Sequence, residues 1–163
     1  LEQAISEDDF LFCRNCLLCT GVRASVAELH FRSNEEKRVG QMLGSADLLG
    51  QMADRKYLEK LLFLFHEFQE GDVPGYDNEL DLLQKTLDFN RGTEIRLIEE
   101  LGNAHLFMRP HFFTRWGLDC DFYRQAINRN MAYIRQVLAY AEGNHRELLR
   151  RGGVVNRLRD GGI

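Results

Sequence analysis

Apolar residues recur every three or four positions along most of the chain, and no stretch alternates apolar and polar residues as a half-buried strand does. Proline occurs only 2 times in 163 residues, so little in the sequence would interrupt long helices. The cleanest apolar stripe begins at Tyr123 and ends at Ala141, and Gly143 follows it as a helix stop. This periodicity predicts an all-α fold consisting of a single helical domain of about seven helices.

Capping signals predict where several of these helices begin. Ser33 followed by Glu36 is a capping-box pattern, and an apolar stripe follows it at helical spacing. The members of this stripe are Val39, Met42, Leu43, Ala46, Leu49 and Ala53. We expect Asp54, Asp77 and Asp119 to cap three later helices, and we expect a short helix over residues 23–31.

Length and charge predict how the chain is organised. A chain of this size buries about 70% of the surface that its unfolded form exposes, which is enough for one core. We predict a helical domain over residues 1–142. Residues 143–163 are predicted to form a basic, glycine-containing tail, in which five arginines outnumber the two acidic residues, Glu147 and Asp160. Such a tail is typical of a solvated surface, and contact with an acidic partner is the alternative.

Composition also excludes several classes of function. The net charge of −4 argues against nucleic acid as the main partner. No window approaches the run of about 18 apolar residues that a membrane span needs, and the acidic start is unlike a signal peptide. Four cysteines without secreted-type spacing indicate a reducing compartment. We expect a cytoplasmic protein that binds neither nucleic acid nor membrane. Because the sequence begins at Leu1 rather than Met, we also expect a fragment or a processed chain.

The helix predicted to follow Ser33 carries the most informative polar residues. Gly40, Gly44, Asp47, Gln51 and Asp54 are three or four residues apart, so they share one face of this helix. Glycine in a helix interior costs about 1 kcal/mol relative to alanine, which suggests that another segment packs closely there.

Asp47 lies at the edge of the apolar stripe, where a carboxylate is expected to be partly buried. Burying a carboxylate is costly unless it is paired, hydrogen-bonded or bound to metal. The residues alone leave two interpretations open. Asp47 either has a structural role, as a cap or in a pair with Arg38 or Arg55, or it belongs to a functional site.

The segment from Phe31 to Arg55, FRSNEEKRVGQMLGSADLLGQMADR, resembles the later half of an HD-domain metal-dependent phosphohydrolase. The segment HFFTRWGLD and the run AINRN farther along resemble the helical extension of a bacterial subgroup of these proteins. In this superfamily a His, an adjacent His-Asp pair and a final Asp on a helix bind one or two metal ions. Ala46-Asp47 best matches the final Asp, and Ala53-Asp54 is the second match.

The resemblance implies hydrolysis of a phosphate ester or nucleotide, with a divalent metal ion held partly by Asp47. Gln51 and Asp54 would then orient that ligand or a water molecule. Arg38 and Arg55 would contact the substrate phosphate, because a guanidinium can hold phosphate in two hydrogen bonds. The implied partner is a phosphorylated small molecule, and a homo-oligomer remains open.

The sequence departs from the family pattern in one important respect, since it contains no His-Asp dipeptide. A hard divalent cation needs several oxygen or imidazole ligands, and a single Asp cannot hold it. We therefore expect a fragment that lacks the upstream His and His-Asp ligands, is inactive alone and binds no metal alone. Whether the protein is an enzyme stays open, and the alternative is a non-catalytic helical interaction or regulatory module.

The remaining chemically active side chains are interpreted as packing residues. His105 and His111 could converge across Pro110, but a histidine near aromatic residues more often packs than binds metal. The other three histidines, His30, His66 and His145, are scattered. Cys13, Cys16 and Cys19 lack the fourth cysteine of an iron–sulfur run, so we expect them to behave as small hydrophobic residues. A series of aromatic residues could line a ligand pocket, but we expect them in the core. Its members are Phe63, Phe65, Phe68, Phe107, Phe112, Phe113 and Trp116.

Overall fold

Helices make up every regular element that the structure, a computed structural model, describes. It describes residues 5–21, 24–140 and 144–149. The α-helices are α1 (Glu7–Leu18), α2 (Asn34–Ala53), α3 (Tyr57–Glu70), α4 (Glu79–Glu99), α5 (Met108–Trp116), α6 (Phe122–Tyr140) and α7 (His145–Leu148). Two 3-10 turns cover Val26–Glu28 and Ala104–Phe107. The predicted all-α class is confirmed.

Side chains close the first turns of α1 and α2. The Ser6 hydroxyl accepts a hydrogen bond from the backbone N–H of Asp9 at 3.1 Å. At α2, the Ser33 hydroxyl accepts from the backbone N–H of Glu36 at 3.3 Å, as the capping box predicts. The Glu36 carboxylate, however, accepts from the backbone N–H of Arg32 at 3.0 Å, one residue earlier than expected.

Three predicted caps and one predicted helix differ from the structure. The cap of α4 is Asn78, whose side-chain oxygen accepts from the backbone N–H of Asp81 at 3.0 Å, rather than Asp77. Asp119 binds Arg109 instead of capping α6. Asp54 holds the turn before α3, which begins at Tyr57. Between residues 24 and 31 only the 3-10 turn forms, while α4 continues through Gly92 without a break.

The helices group into two compact units. The first unit contains the described residues up to Gly50 and those of Gly92–Phe122, and the second contains Gln51–Arg91 and the described residues from Tyr123 onward. Buried apolar residues of the first unit are Cys16, Cys19, Val26, Leu48, Leu49, Leu97, Leu101 and Ala104. Those of the second are Met52, Tyr57, Leu58, Leu61, Leu62, Phe65, Leu82, Leu83, Ile127, Met131, Ile134, Val137 and Leu149.

Two sequence predictions concern the chain as a whole. Within the part of the chain that the structure describes, no helix is both long enough and apolar enough to cross a membrane. Of the predicted tail over residues 143–163, the described part is residues 144–149, which contain α7 and the buried Leu149. The rest of that tail, with most of its arginines, lies outside the described residues.

Candidate functional site

The glycines of α2 make room for the end of α1. A Cβ atom on Gly40 would lie 2.9 Å from the Cys19 sulfur, and one on Gly44 would lie 2.5 Å from the Cys19 carbonyl oxygen. Both distances are shorter than normal contacts, so only glycine lets α1 and α2 approach this closely. The prediction that a segment packs closely against these glycines is therefore confirmed.

The apolar stripe predicted for α2 is largely exposed. Met42 is 46% exposed and Leu43 is 41% exposed, and Val39 and Ala46 also face solvent. The buried face consists instead of small residues followed by larger apolar ones. Its members are Gly40, Gly44, Ser45, Leu48, Leu49 and Met52. The predicted burial of the N-terminal half of the stripe was wrong, because the approach of α1 selects for small side chains rather than large ones.

Asp47 is half-buried and lies on α2 at the border between these two faces. Leu43, one turn before it, and Ala46, which immediately precedes it, are exposed. Leu48, which follows it, is buried. A carboxylate in this position is neither in bulk solvent nor enclosed, so it is accessible to a group that covers the exposed apolar face of α2.

Asp54, the second match to the metal-binding Asp, has a structural role. One carboxylate oxygen accepts from the backbone N–H of Lys56 at 2.8 Å, and the other contacts the Lys60 ammonium. Hydrogen bonding to Lys60, followed by that to Lys56, lowers the pKa of Asp54. These contacts shape the link between α2 and α3.

The remaining predicted residues lie in different surroundings. Gln51 is exposed on α2. Arg38 is exposed on the first part of α2; hydrogen bonds in that turn lower the pKa of Glu35, and the charge of Arg38 adds to this. Arg55 lines a cavity of about 420 Å³ together with Ala53, Ala126, Arg129 and Asn130. Arg129, 74 positions away in the sequence, was not predicted as a site residue.

Asn130 links the two segments that line this cavity through hydrogen bonds. It is buried, and its side-chain amide donates to the carbonyl oxygens of Met52 at 2.8 Å and Asp54 at 3.0 Å. These carbonyls belong to the C-terminal end of α2, where backbone acceptors lack helical partners. No spacing in the sequence could have paired Asn130 with carbonyls 76 to 78 positions away.

A second polar cluster surrounds Glu79, the first residue of α4, which sequence reasoning did not single out. Its side chain is only 8% exposed. Arg146 donates to both carboxylate oxygens, and Nε2 of His145 lies 2.9 Å from one of them. His66 approaches the other at 3.4 Å. Burial would raise the pKa of Glu79, but the hydrogen bonds from Arg146 and His145 outweigh it and lower the pKa.

The structure also places the cysteines and the other histidines. Cys16 and Cys19 are buried, as predicted, and burial raises the pKa of both thiols, whereas Cys13 is exposed. His105 is buried, and His111 packs edge-on against Trp116. Phe107, Phe113 and Trp116 are exposed, so their predicted core positions were wrong.

Residues 5–21, 24–140 and 144–149 do not bring together a complete set of metal ligands. No three or more His, Cys, Asp or Glu side chains within these ranges are arranged to hold a metal ion. Glu79 with its two histidines does not serve, because the Arg146 guanidinium occupies both carboxylate oxygens. The residues described therefore do not fit the divalent metal ion that the family resemblance implies, unless further ligands come from elsewhere.

Comparison with known proteins identified a matching protein family. A family model described as Npun_R2479-like matches residues 4–102, which is more than half of the chain. This range contains α1 to α4, including Asp47 and Arg55. No curated protein and no solved structure matches the chain.

Proposed function

The chain belongs to the Npun_R2479-like family, and because that family description states no activity, we propose a function from the residues of α2. We propose that the chain is the later helical part of an HD-type metal-dependent phosphohydrolase that acts on a phosphate ester or nucleotide in the cytoplasm. Residues outside the present sequence would supply the missing metal ligands.

The observation that supports this proposal most is the position of Asp47. Its carboxylate is half-buried at the border of an exposed apolar face formed by Val39, Met42 and Leu43. An exposed group of large apolar side chains on a soluble protein usually marks a surface that another segment covers. A helical segment that covered this face would bring its own side chains next to Asp47.

The chain by itself has only part of the required chemistry. Asp47 would contribute one ligand to a divalent metal ion, and such an ion supplies an activated water as nucleophile when it is bound. Since the described residues do not complete a metal site, we assign no reaction step to the chain alone. Asp54 accepts hydrogen bonds from Lys60 and the Lys56 backbone, so we assign it a structural role in the link between α2 and α3.

The test uses the complete protein encoded by the gene, assayed for phosphate release from p-nitrophenyl phosphate and AMP with Mn²⁺ or Mg²⁺. We expect D47N to abolish metal-dependent turnover and to reduce bound metal, because the amide is a poor ligand for these cations. D88N is the matched control, since Asp88 is an exposed carboxylate paired with Arg91. Unchanged turnover and metal content in D47N, or no turnover in the wild type, would rule the proposal out.

A second candidate function is a non-catalytic helical interaction module. It is favoured by the distribution of exposed large hydrophobic side chains. All but four of those in the described ranges belong to the first unit, the exceptions being Phe89, Tyr123, Tyr140 and Leu148. If the wild-type protein shows no metal-dependent turnover while it self-associates or binds a partner through this surface, the module is the better description.

A further inference from the structure

We propose that Arg55 and Arg129 form a binding subsite for the phosphate group of a small phosphorylated ligand. The subsite lies in the second unit, in the cavity bounded by the end of α2 and one face of α6. This inference deepens the proposed function by naming a substrate contact. It rests on the proposed function only for the statement that the ligand is a substrate.

The chemistry of the cavity wall is the first argument. The five lining residues are two arginines, two alanines and one asparagine, and no carboxylate is among them. The two alanines leave space between the longer side chains. A volume of about 420 Å³ lies within the range of small-molecule sites, which is about 300–1,000 Å³.

The second argument is that both guanidinium groups lack a partner among the described residues. Several other arginines have partners: Arg109 binds Asp119, Arg146 binds Glu79, and Arg96 donates to two carbonyl oxygens. Arg55 and Arg129, in contrast, make no hydrogen bond or ion pair within the described part of the chain. Two like charges on one cavity repel each other, and an anion bound between them would remove that repulsion.

The third argument is that buried contacts determine where the two arginines stand. Asn130, next to Arg129 on α6, donates to Met52 and Asp54 on either side of Ala53. Asp54 immediately precedes Arg55, so the two cations are carried by segments that one buried amide joins. A ligand therefore does not have to order the backbone on binding, and this preorganisation favours affinity.

The acidic residue adjoining Arg55 in the sequence is already paired. The Asp54 carboxylate is the acidic group nearest to Arg55 in the sequence, and it contacts Lys60. The carbonyl oxygens at the end of α2 would repel an anion, but those of Met52 and Asp54 accept hydrogen bonds from Asn130. The cavity consequently keeps a local positive charge in a chain whose net charge is −4.

Two neighbouring guanidinium groups favour a doubly charged phosphate group over singly charged anions. Each guanidinium presents parallel N–H donors that match two oxygens of a tetrahedral phosphate, and a phosphate monoester carries close to two negative charges at neutral pH. A large polyanion is disfavoured, because the protein as a whole is acidic and the cavity is small.

The test is calorimetric titration of the protein with inorganic phosphate and with AMP at constant ionic strength. We expect R55Q and R129Q each to weaken binding by about tenfold, since each removes charge-assisted hydrogen bonds. R91Q is the matched control, because Arg91 is exposed in the same unit but does not line the cavity. Both target arginines are exposed, so the variants should keep the wild-type thermal unfolding transition.

The outcomes separate this inference from the proposed function. If both variants lose phosphate affinity while R91Q keeps it, the subsite is supported, whether or not the complete protein hydrolyses phosphate esters. Absence of saturable phosphate binding overturns the subsite, as does an equal loss in R91Q, which would indicate general charge attraction. If hydrolysis depends on Asp47 but R55Q and R129Q leave both KM and phosphate affinity unchanged, the subsite fails while the proposed function stands.

Discussion

Gly44 and Gly50 occupy the same helix in opposite surroundings. A Cβ atom on Gly44 would lie 2.5 Å from the Cys19 carbonyl oxygen and 2.9 Å from a Leu101 methyl group, whereas one on Gly50 would meet nothing within 4 Å. We expect G44A to lower the free energy of unfolding by about 1–3 kcal/mol, because a backbone carbonyl cannot yield without moving α1. Urea unfolding measures this change.

G50A is the matched comparison for that experiment. Alanine there fits the open space and gains the helix propensity that glycine lacks, so the free energy of unfolding should rise by up to about 1 kcal/mol. If both variants shift stability in the same direction, the close approach of α1 to α2 described here is incorrect.

Arg96 shows a residue-scale contact that the sequence does not reveal. It is buried, and its guanidinium donates to the carbonyl oxygens of Cys19 at 3.1 Å and Gly21 at 2.7 Å. These carbonyls follow the C-terminus of α1, whose last turn contains no basic residue. A cation from α4 thus takes the place that a local Lys or Arg usually fills at a helix end.

At the scale of elements, α7 is held by the Glu79 cluster. Arg146 and His145 bind the Glu79 carboxylate, the Tyr133 hydroxyl contacts the carbonyl oxygen of Leu148, and Leu149 is fully buried. A four-residue helix is too short to be stable by itself. These tertiary contacts are therefore what keep α7 in place.

The Glu79 cluster makes stability depend on pH. Its hydrogen bonds lower the pKa of Glu79 below the ordinary value of about 4.3, so their contribution is complete above that pH and is lost as the pH falls through the lower folded-state pKa. We expect E79Q to lower the free energy of unfolding by about 1–2 kcal/mol at pH 7, allowing for the 45% exposure of Arg146.

Urea unfolding at pH 7 and at pH 3 measures both effects. The difference between wild type and E79Q should shrink at the lower pH, because the unfolded wild-type chain then binds a proton at Glu79 and part of the stabilisation is lost. D88N is the control, since it removes an exposed carboxylate and should change stability little at either pH. A wild-type advantage that persists unchanged at pH 3 would contradict the role given to the Glu79 charge.

At the scale of the whole molecule, the exposed apolar surface of the first unit should govern association. Val39, Met42 and Leu43 leave a row of large side chains in contact with water on α2. In a sample of the present chain alone, a second copy of the chain can cover this apolar face. We expect concentration-dependent self-association that the double change M42E and L43E reduces.

Sedimentation velocity over a range of concentrations tests this expectation. F89E is the control, because Phe89 is equally exposed but belongs to the second unit. Self-association that is unaffected by the α2 changes and abolished by F89E would move the association surface to the other unit.

Local sequence information determined the class of the fold and most helix bounds. Apolar spacing and the Ser33–Glu36 capping signal act over one or two helical turns, so they can be read without knowing what the helix packs against. Gly40 and Gly44 also signalled close packing correctly, whereas Gly50 faces open space. The different roles of Asp47 and Asp54 were only partly predictable, since each residue follows an alanine of the same helix.

Contacts between distant parts of the chain decided everything else about the candidate site. Which face of α2 is buried depended on the approach of Cys19, and the meeting of Arg55 with Arg129 depended on a hydrogen bond across 76 positions. Burial and charge pairing depend on residues that become neighbours only when the chain folds. Periodicity along the sequence contains no information about those distances, and Arg96, Glu79 and Arg129 therefore emerged only with the three-dimensional arrangement.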